Sequence, residues 1–195
     1  MGDSPKILLK TRRFNVVEAA QSLDNGSLAE RQWVEHPGAV VILPLLVGNS
    51  VCLIENFRIA VNQTLIELPA GTLEPNEPPA ATAERELLEE TGYRAGRIEK
   101  IHEFFMSPGI LNERMHLYVA TELTPGAAQR EPGEQIQNLV VAWDEAMAMA
   151  MSGQIQDAKT LAALMLYDRM LHVRKDESGA YATVASALRS PGERR

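Results

Sequence analysis

The sequence predicts an α/β fold, in which a mixed sheet is covered on two faces by helices and preceded by a small antiparallel β lobe. Three observations carry that expectation. Short apolar runs of strand character alternate with helical patterns along most of the chain. Two of those runs are separated by Gly48-Asn49, a tight-turn pair that reads as a hairpin. A segment rich in Ala, Glu and Leu opens at Pro78-Pro79 and closes at Thr91-Gly92, the proline start and glycine stop of a helix.

Residues 7–10 and 14–17 read as short strands, and Asp24-Asn25-Gly26-Ser27 as a turn, so 1–36 is expected to form the lobe. Residues 39–47 are a nearly continuous apolar run, as in a buried strand, and 50–55 return as the second arm of the hairpin. A further strand is expected at 64–68, followed by the helix between Pro78 and Gly92. Strands at 98–105, 115–121 and 138–143, then helices at 144–151 and 158–174, complete a domain over 37–175. The segment 176–195 contains Ser-Gly and Ser-Pro-Gly breaks and reads as a mobile tail.

Composition narrows the function classes. The 195 residues carry 26 acidic and 19 basic side chains, a net charge of −7. That balance argues against non-specific binding to nucleic acid or anionic membrane, both of which reward basic patches. The single cysteine, Cys52, excludes an internal disulfide framework and fits a reducing compartment. The opening residues lack a signal peptide's apolar run, and no stretch approaches the roughly 20 apolar residues that span a bilayer. A cytoplasmic protein is the expectation.

The chemistry concentrates between Gly71 and Tyr93. Glu86 and Glu90 are four residues apart and stack on one helix face, with Glu89 beside them. Leu87, Leu88, Ala80 and Ala81 are expected opposite, against the sheet. Like charges so placed repel and require a counter-charge. Arg85, four residues before Glu89, supplies one, but one guanidinium cannot balance three carboxylates. A divalent metal is the natural remainder, and Mg²⁺ prefers hard oxygen ligands while keeping positions for water and phosphate. A Glu-rich helix alone is more often a solvated face. The fixed spacing of Gly71, Glu77, Arg85, Glu86, Glu89, Glu90 and Gly92 overrides that reading.

That segment resembles the Nudix box, G-x5-E-x7-R-E-U-x-E-E-x-G-U, at every fixed position. The resemblance implies an α/β/α sandwich and hydrolysis of a nucleoside diphosphate linked to another moiety, with Mg²⁺ or Mn²⁺. Outside the box, Glu67-Leu68-Pro69-Ala70-Gly71, His36-Pro37-Gly38-Ala39-Val40 and Ser107-Pro108-Gly109 are similar to the ADP-ribose pyrophosphatase branch. That likeness implies a homodimer whose N-terminal lobe helps wall the adenosine site. It assigns the Ala70 carbonyl, Glu86 and Glu90 to metal, Glu89 to metal or to support of its ligands, Arg85 to orienting the carboxylates, and Glu77 to fixing the box loop. Arg58 is placed near the phosphates or terminal ribose, Glu113 on a ribose, and Ser107 in the substrate loop. Phe14 is placed against the base, with Arg31 reaching it from the partner subunit. The carboxylate that deprotonates the attacking water comes from 129–136, where only Glu131 and Glu134 are acidic; Glu134 is the candidate base and a candidate metal ligand.

The expected reaction is hydrolysis of ADP-ribose to AMP and ribose 5-phosphate. A hydrolase of a UDP- or GDP-sugar, or a non-catalytic nucleotide-sensing module, is the alternative. Cys52 reads as a buried structural thiol, the four histidines have no zinc-site spacing, and the Ala-Met alternation at 146–151 reads as core packing.

Overall fold

The computed structural model of the protein describes residues 4–130, 133 and 135–172. β1 (Lys6–Lys10), β2 (Asn15–Ser22) and β3 (Leu28–Glu35) form an antiparallel sheet in the order β1-β2-β3. Its β2–β3 turn closes through the Gly26 N–H on the Leu23 carbonyl at 2.9 Å, with Gly26 at φ +79°. Val17 is buried in this sheet, whereas Ile7, Leu8, Leu9 and Leu28 are exposed.

β4 (Ala39–Leu46) and β5 (Ser50–Arg58) are the predicted hairpin, and Gly48 and Asn49 both take left-handed φ, +78° and +56°. β6 (Gln63–Glu67) pairs with β5, and β7 (Ala70–Thr72) pairs with β4. α1 spans Pro79–Thr91, with Pro78 at its N-cap and Gly92 at its C-cap. After β8 (Tyr93–Arg94) come β9 (Arg97–Phe105), β10 (Arg114–Thr121) and β11 (Thr124–Pro125), which pairs with β8. β12 (Ile136–Ala142), α2 (Trp143–Met151) and α3 (Ala158–His172) complete the described chain.

The main sheet runs β12-β5-β4-β10-β9 and is mixed, because β10 lies parallel to β4 while its other pairings are antiparallel. Alternation along β4 separates two cores. Val40 and Ile42 pack with Ala83 and Leu87 of α1, whereas Ala39, Val41 and Leu43 join Trp143, Ala146, Ala163 and Leu164 of α2 and α3. The predicted α/β/α arrangement with a separate antiparallel sheet is therefore present. No helix among the described residues is long and apolar enough to cross a membrane.

The expected packing face of α1 needs correction. Thr82, Ala83, Leu87, Glu90 and Thr91 are buried, while Ala80 and Ala81 are exposed and Leu88 is half-buried. At 3.6 residues per turn, the arc from Thr82 to Thr91 contains Glu86 and Glu90 as well as Ala83 and Leu87. The carboxylates thus border the packed stripe instead of opposing it, and Glu90 is only 4% exposed. The Ala-Met segment is core in part: Ala146 and Ala150 are buried and Met147 and Met149 half-buried, but Met151 is exposed. The predicted tail at 176–195 lies outside the described residues.

Candidate active site

The loop 73–78 is joined to α1 through Glu77. Its Oε2 accepts from the Thr82 hydroxyl at 2.8 Å and from Arg85 Nη2 at 3.0 Å, and its Oε1 from Arg85 Nε at 3.1 Å. The Arg85 hydrogen bond is the main cause that lowers the Glu77 pKa from its ordinary value. A carboxylate beside a helix N-terminus is also stabilised by the helix dipole.

Arg85 then turns along the helix. Its Nη1 donates to Glu86 Oε1 at 2.8 Å and to Glu89 Oε2 at 2.9 Å. One guanidinium therefore engages three carboxylates, and its pKa is raised further, first by the Glu77 bond. The predicted Arg85–Glu89 pairing is present, with Glu86 and Glu77 added to it.

β7 passes beneath these acids. The Ala70 N–H donates to Glu90 Oε2 at 2.9 Å, and a Cβ built on Gly71 would lie 1.9 Å from Glu86 Cδ. The glycine is thus a cradle for the Glu86 carboxylate. The donor chemistry here is hard oxygen throughout, which suits Mg²⁺ or Mn²⁺ with shells completed by water and phosphate. Among the described residues, no three His, Cys, Asp or Glu side chains converge to hold an ion by themselves.

Sequence reasoning missed a buried charge network behind Ala70. Glu67, 1% exposed, accepts from Arg58 Nε and Nη2 at 2.8 and 2.6 Å and from Lys159 Nζ at 2.6 Å. Burial works to raise its pKa, but the hydrogen bonds and charges of Arg58 and Lys159 outweigh it, and the net shift is downward. Lys159 also donates to Asp157 at 2.8 Å, and Asp157 caps α3 through the Thr160 N–H at 2.9 Å. The Thr160 hydroxyl oxygen accepts the Leu68 N–H at 2.8 Å. The signal was legible: a charged residue at the end of an apolar strand needs a partner, and Asp157 three residues before Thr160 is a capping pattern.

The remaining candidates divide. Arg58 sits beside this network with two of its nitrogens on Glu67. The Ser107 carbonyl closes a turn by accepting the Ile110 and Leu111 N–H groups, at 3.0 and 2.9 Å. This turn is fastened to the lobe: the Val34 N–H donates to the Ile110 carbonyl, and the His36 N–H to Asn112 Oδ1 at 2.8 Å. Glu113 lies 3.6 Å from His36 Nδ1. Phe14, with Arg12, Arg13, His36 and Asn112, lines a cavity of about 530 Å³ between lobe and domain. Arg31 bonds Gln21 on the lobe surface at 2.9 Å. Glu134 and Glu131 lie outside the described residues.

The family model for the NUDIX domain matches residues 35–164. The chain is 38% identical over 144 residues to an ADP-ribose pyrophosphatase of Bacillus subtilis (strain 168), covering 73% of this chain and 78% of that protein. It is 35% identical over 145 residues to a GDP-mannose pyrophosphatase of Salmonella arizonae, covering 70% and 75% respectively. A solved structure described as an ADP compounds hydrolase superposes with a TM-score of 0.74 at 22% identity, covering 88% of this chain and 96% of that one.

Proposed function

The chain belongs to the NUDIX family as a Nudix pyrophosphohydrolase, and from that premise we propose that it hydrolyses the diphosphate bond of ADP-ribose to AMP and ribose 5-phosphate. The observation that carries this reading is the Glu86–Glu90 pair on α1, seated over Gly71 and Ala70 and flanked by Arg85. The Ala70 carbonyl, Glu86, Glu90 and Glu89 would hold Mg²⁺ or Mn²⁺. When bound, such an ion neutralises diphosphate charge and acidifies water.

The chain's own residues perform the remaining tasks. Arg85 holds Glu86 and Glu89 in fixed rotamers, so their orientation is set before substrate arrives. Arg58 presents a guanidinium to the diphosphate while Glu67 fixes its plane. Glu134, or Glu131 in its place, takes a proton from water as its oxygen bonds one phosphorus and the bond to the bridging oxygen breaks. Phe14 stacks on the base, and Ser107 and Glu113 face the ribose side. The exposed Ile7, Leu8 and Leu9 of the lobe are covered in a cytoplasmic homodimer, from which Arg31 reaches the neighbouring site.

A GDP-sugar substrate is the second reading, favoured by the likeness to a GDP-mannose pyrophosphatase. Product analysis with ADP-ribose, GDP-mannose and a UDP-sugar in Mg²⁺ separates the two. Equal inactivity on all three would favour a nucleotide-sensing module. Glu90→Gln is expected to abolish turnover with the fold intact; near-normal turnover would remove Glu90 from the site.

A further inference from the structure

The C-terminal end of α1 is capped in full, by groups from three separate parts of the chain. An α-helix leaves its last four carbonyls without partners inside the helix. Here the Leu88 carbonyl accepts the Gly92 N–H at 2.9 Å, and the Glu89 carbonyl accepts the Gln129 N–H at 2.9 Å. The Glu90 carbonyl accepts Arg130 Nε at 3.1 Å, and the Thr91 carbonyl accepts Asn138 Nδ2 at 2.8 Å. Arg130 Nη2 in turn donates to Asn138 Oδ1 at 3.1 Å, so the two side chains form one unit.

The charge pattern of α1 explains why such a cap matters. Its last turn contains Glu89 and Glu90 and no basic residue. Negative side chains at the negative end of a helix dipole are unfavourable, and a cation there is favourable. The helix sequence therefore works against its own last turn, and the compensating cation comes from Arg130, 40 residues beyond Glu90.

We propose that Arg130 is a positioning residue for the metal carboxylates: through its bond to the Glu90 carbonyl and its brace on Asn138, it holds the last turn of α1 in register. The proposal rests on the reading of Glu86 and Glu90 as metal ligands. Arg130 acts on the Glu90 backbone and would not itself ligate an ion held by the carboxylates. Loss of the brace lets the last turn fray and displaces the Glu90 carboxylate from the Ala70 N–H. The reacting groups themselves are left chemically intact.

Arg130→Met, Arg130→Lys and Asn138→Leu, measured in the full chain beside Glu90→Gln, test this. Mn²⁺ affinity of the substrate-free protein is read by electron paramagnetic resonance, and kcat and KM for ADP-ribose are read across a Mg²⁺ titration. Arg130→Met is expected to weaken Mn²⁺ about tenfold and to lower kcat about tenfold, as loss of a ligand-orienting partner does. KM at saturating Mg²⁺ is expected to stay within about twofold, because a residue that acts only through the Glu90 backbone adds no substrate contact of its own. Arg130→Lys keeps the cation at the helix end and restores part of the loss; Asn138→Leu produces a smaller loss of the same kind. A folded Arg130→Met protein with wild-type Mn²⁺ affinity and kcat, and only a lowered Tm, would overturn the proposal and leave Arg130 a structural cap. If Arg130→Met fails to fold, wild-type Mn²⁺ affinity in both Arg130→Lys and Asn138→Leu overturns it. Wild-type turnover by Glu90→Gln refutes the metal reading itself, whereas an inactive Glu90→Gln beside a wild-type-like Arg130→Met refutes the positioning role alone.

Discussion

The Glu86 carboxylate occupies the space that a side chain at Gly71 would need: a Cβ there would lie 1.9 Å from its Cδ and 2.0 Å from its Oε1. The clash involves the far end of a flexible side chain, not backbone. Gly71→Ala is therefore expected to leave Tm within a few degrees of wild type while displacing Glu86. A misplacement of about 1 Å at a reacting centre costs on the order of 10²-fold in rate. Turnover and melting measured together check this, and an unchanged kcat would mean that Glu86 is not needed where it sits.

Lys159 and Glu67 form the second test. Both are buried, 8% and 1% exposed, and Lys159 Nζ lies 2.6 Å from the Glu67 carboxylate. Lys159→Met removes one of two cations from that acid. Breaking a buried pair costs about 3–5 kcal/mol when no partner remains, and Arg58 does remain, so a loss of about 2–3 kcal/mol is expected by urea unfolding. The pH dependence follows from the lowered Glu67 pKa. Its contribution is fully present above the ordinary value of 4.5 and is lost as pH falls through the folded-state value. Lys159→Met raises that folded-state value and narrows its gap from the ordinary one, so less Tm is expected to be lost between pH 7 and pH 3 than in wild type. Parallel melting curves between pH 3 and 7 would show that Lys159 does not depress Glu67.

These two sites differ in how far the sequence alone reveals them. α1 is legible because Pro78-Pro79 and Gly92 punctuate it, and Arg85–Glu89 because residues four apart on a helix must meet. The packing face of α1 is not legible in the same way, because residue type sets carboxylates opposite the apolar stripe, whereas the fold buries one of them. Glu90, though charged, is buried where the Ala70 N–H can bond it. The Glu67–Lys159 pair spans 92 residues and the Asn138–Thr91 bond spans 47. Only the tertiary fold, which brings β12 beside β5 and packs α3 against β4, closes such distances. Local periodicity carries no information about them.

Two glycines with similar backbone angles are predicted to differ sharply. Gly26 and Gly92 have φ of +79° and +81°. A Cβ at Gly26 would meet nothing within 4 Å, whereas one at Gly92 would meet the Gly126 carbonyl at 2.5 Å and the Ala128 nitrogen at 2.8 Å. Gly26→Ala is expected to cost about 1–2 kcal/mol, the conformational penalty alone. Gly92→Ala adds overlap with backbone that cannot rotate away, for a total of about 3–4 kcal/mol. Equal losses in denaturant unfolding would show that the turn after α1 and residues 126–128 do not pack as tightly as the structure has them.

Cys52 provides a readout of the fold itself. It lies in β5 with no exposed surface, and burial pushes its thiol pKa up to about 12. At pH 8 the thiolate fraction is then on the order of 10⁻⁴, and the reagent has no path to it. A disulfide-exchange reagent such as DTNB is therefore expected to leave the native protein unmodified over minutes at pH 8. It should titrate one thiol per chain in 6 M guanidinium chloride. In intermediate denaturant, the labelling rate should follow global unfolding, because β5 is paired by β4, β6 and β12 and cannot open alone. Rapid labelling of the native protein would mean that β5 is not the buried strand described here.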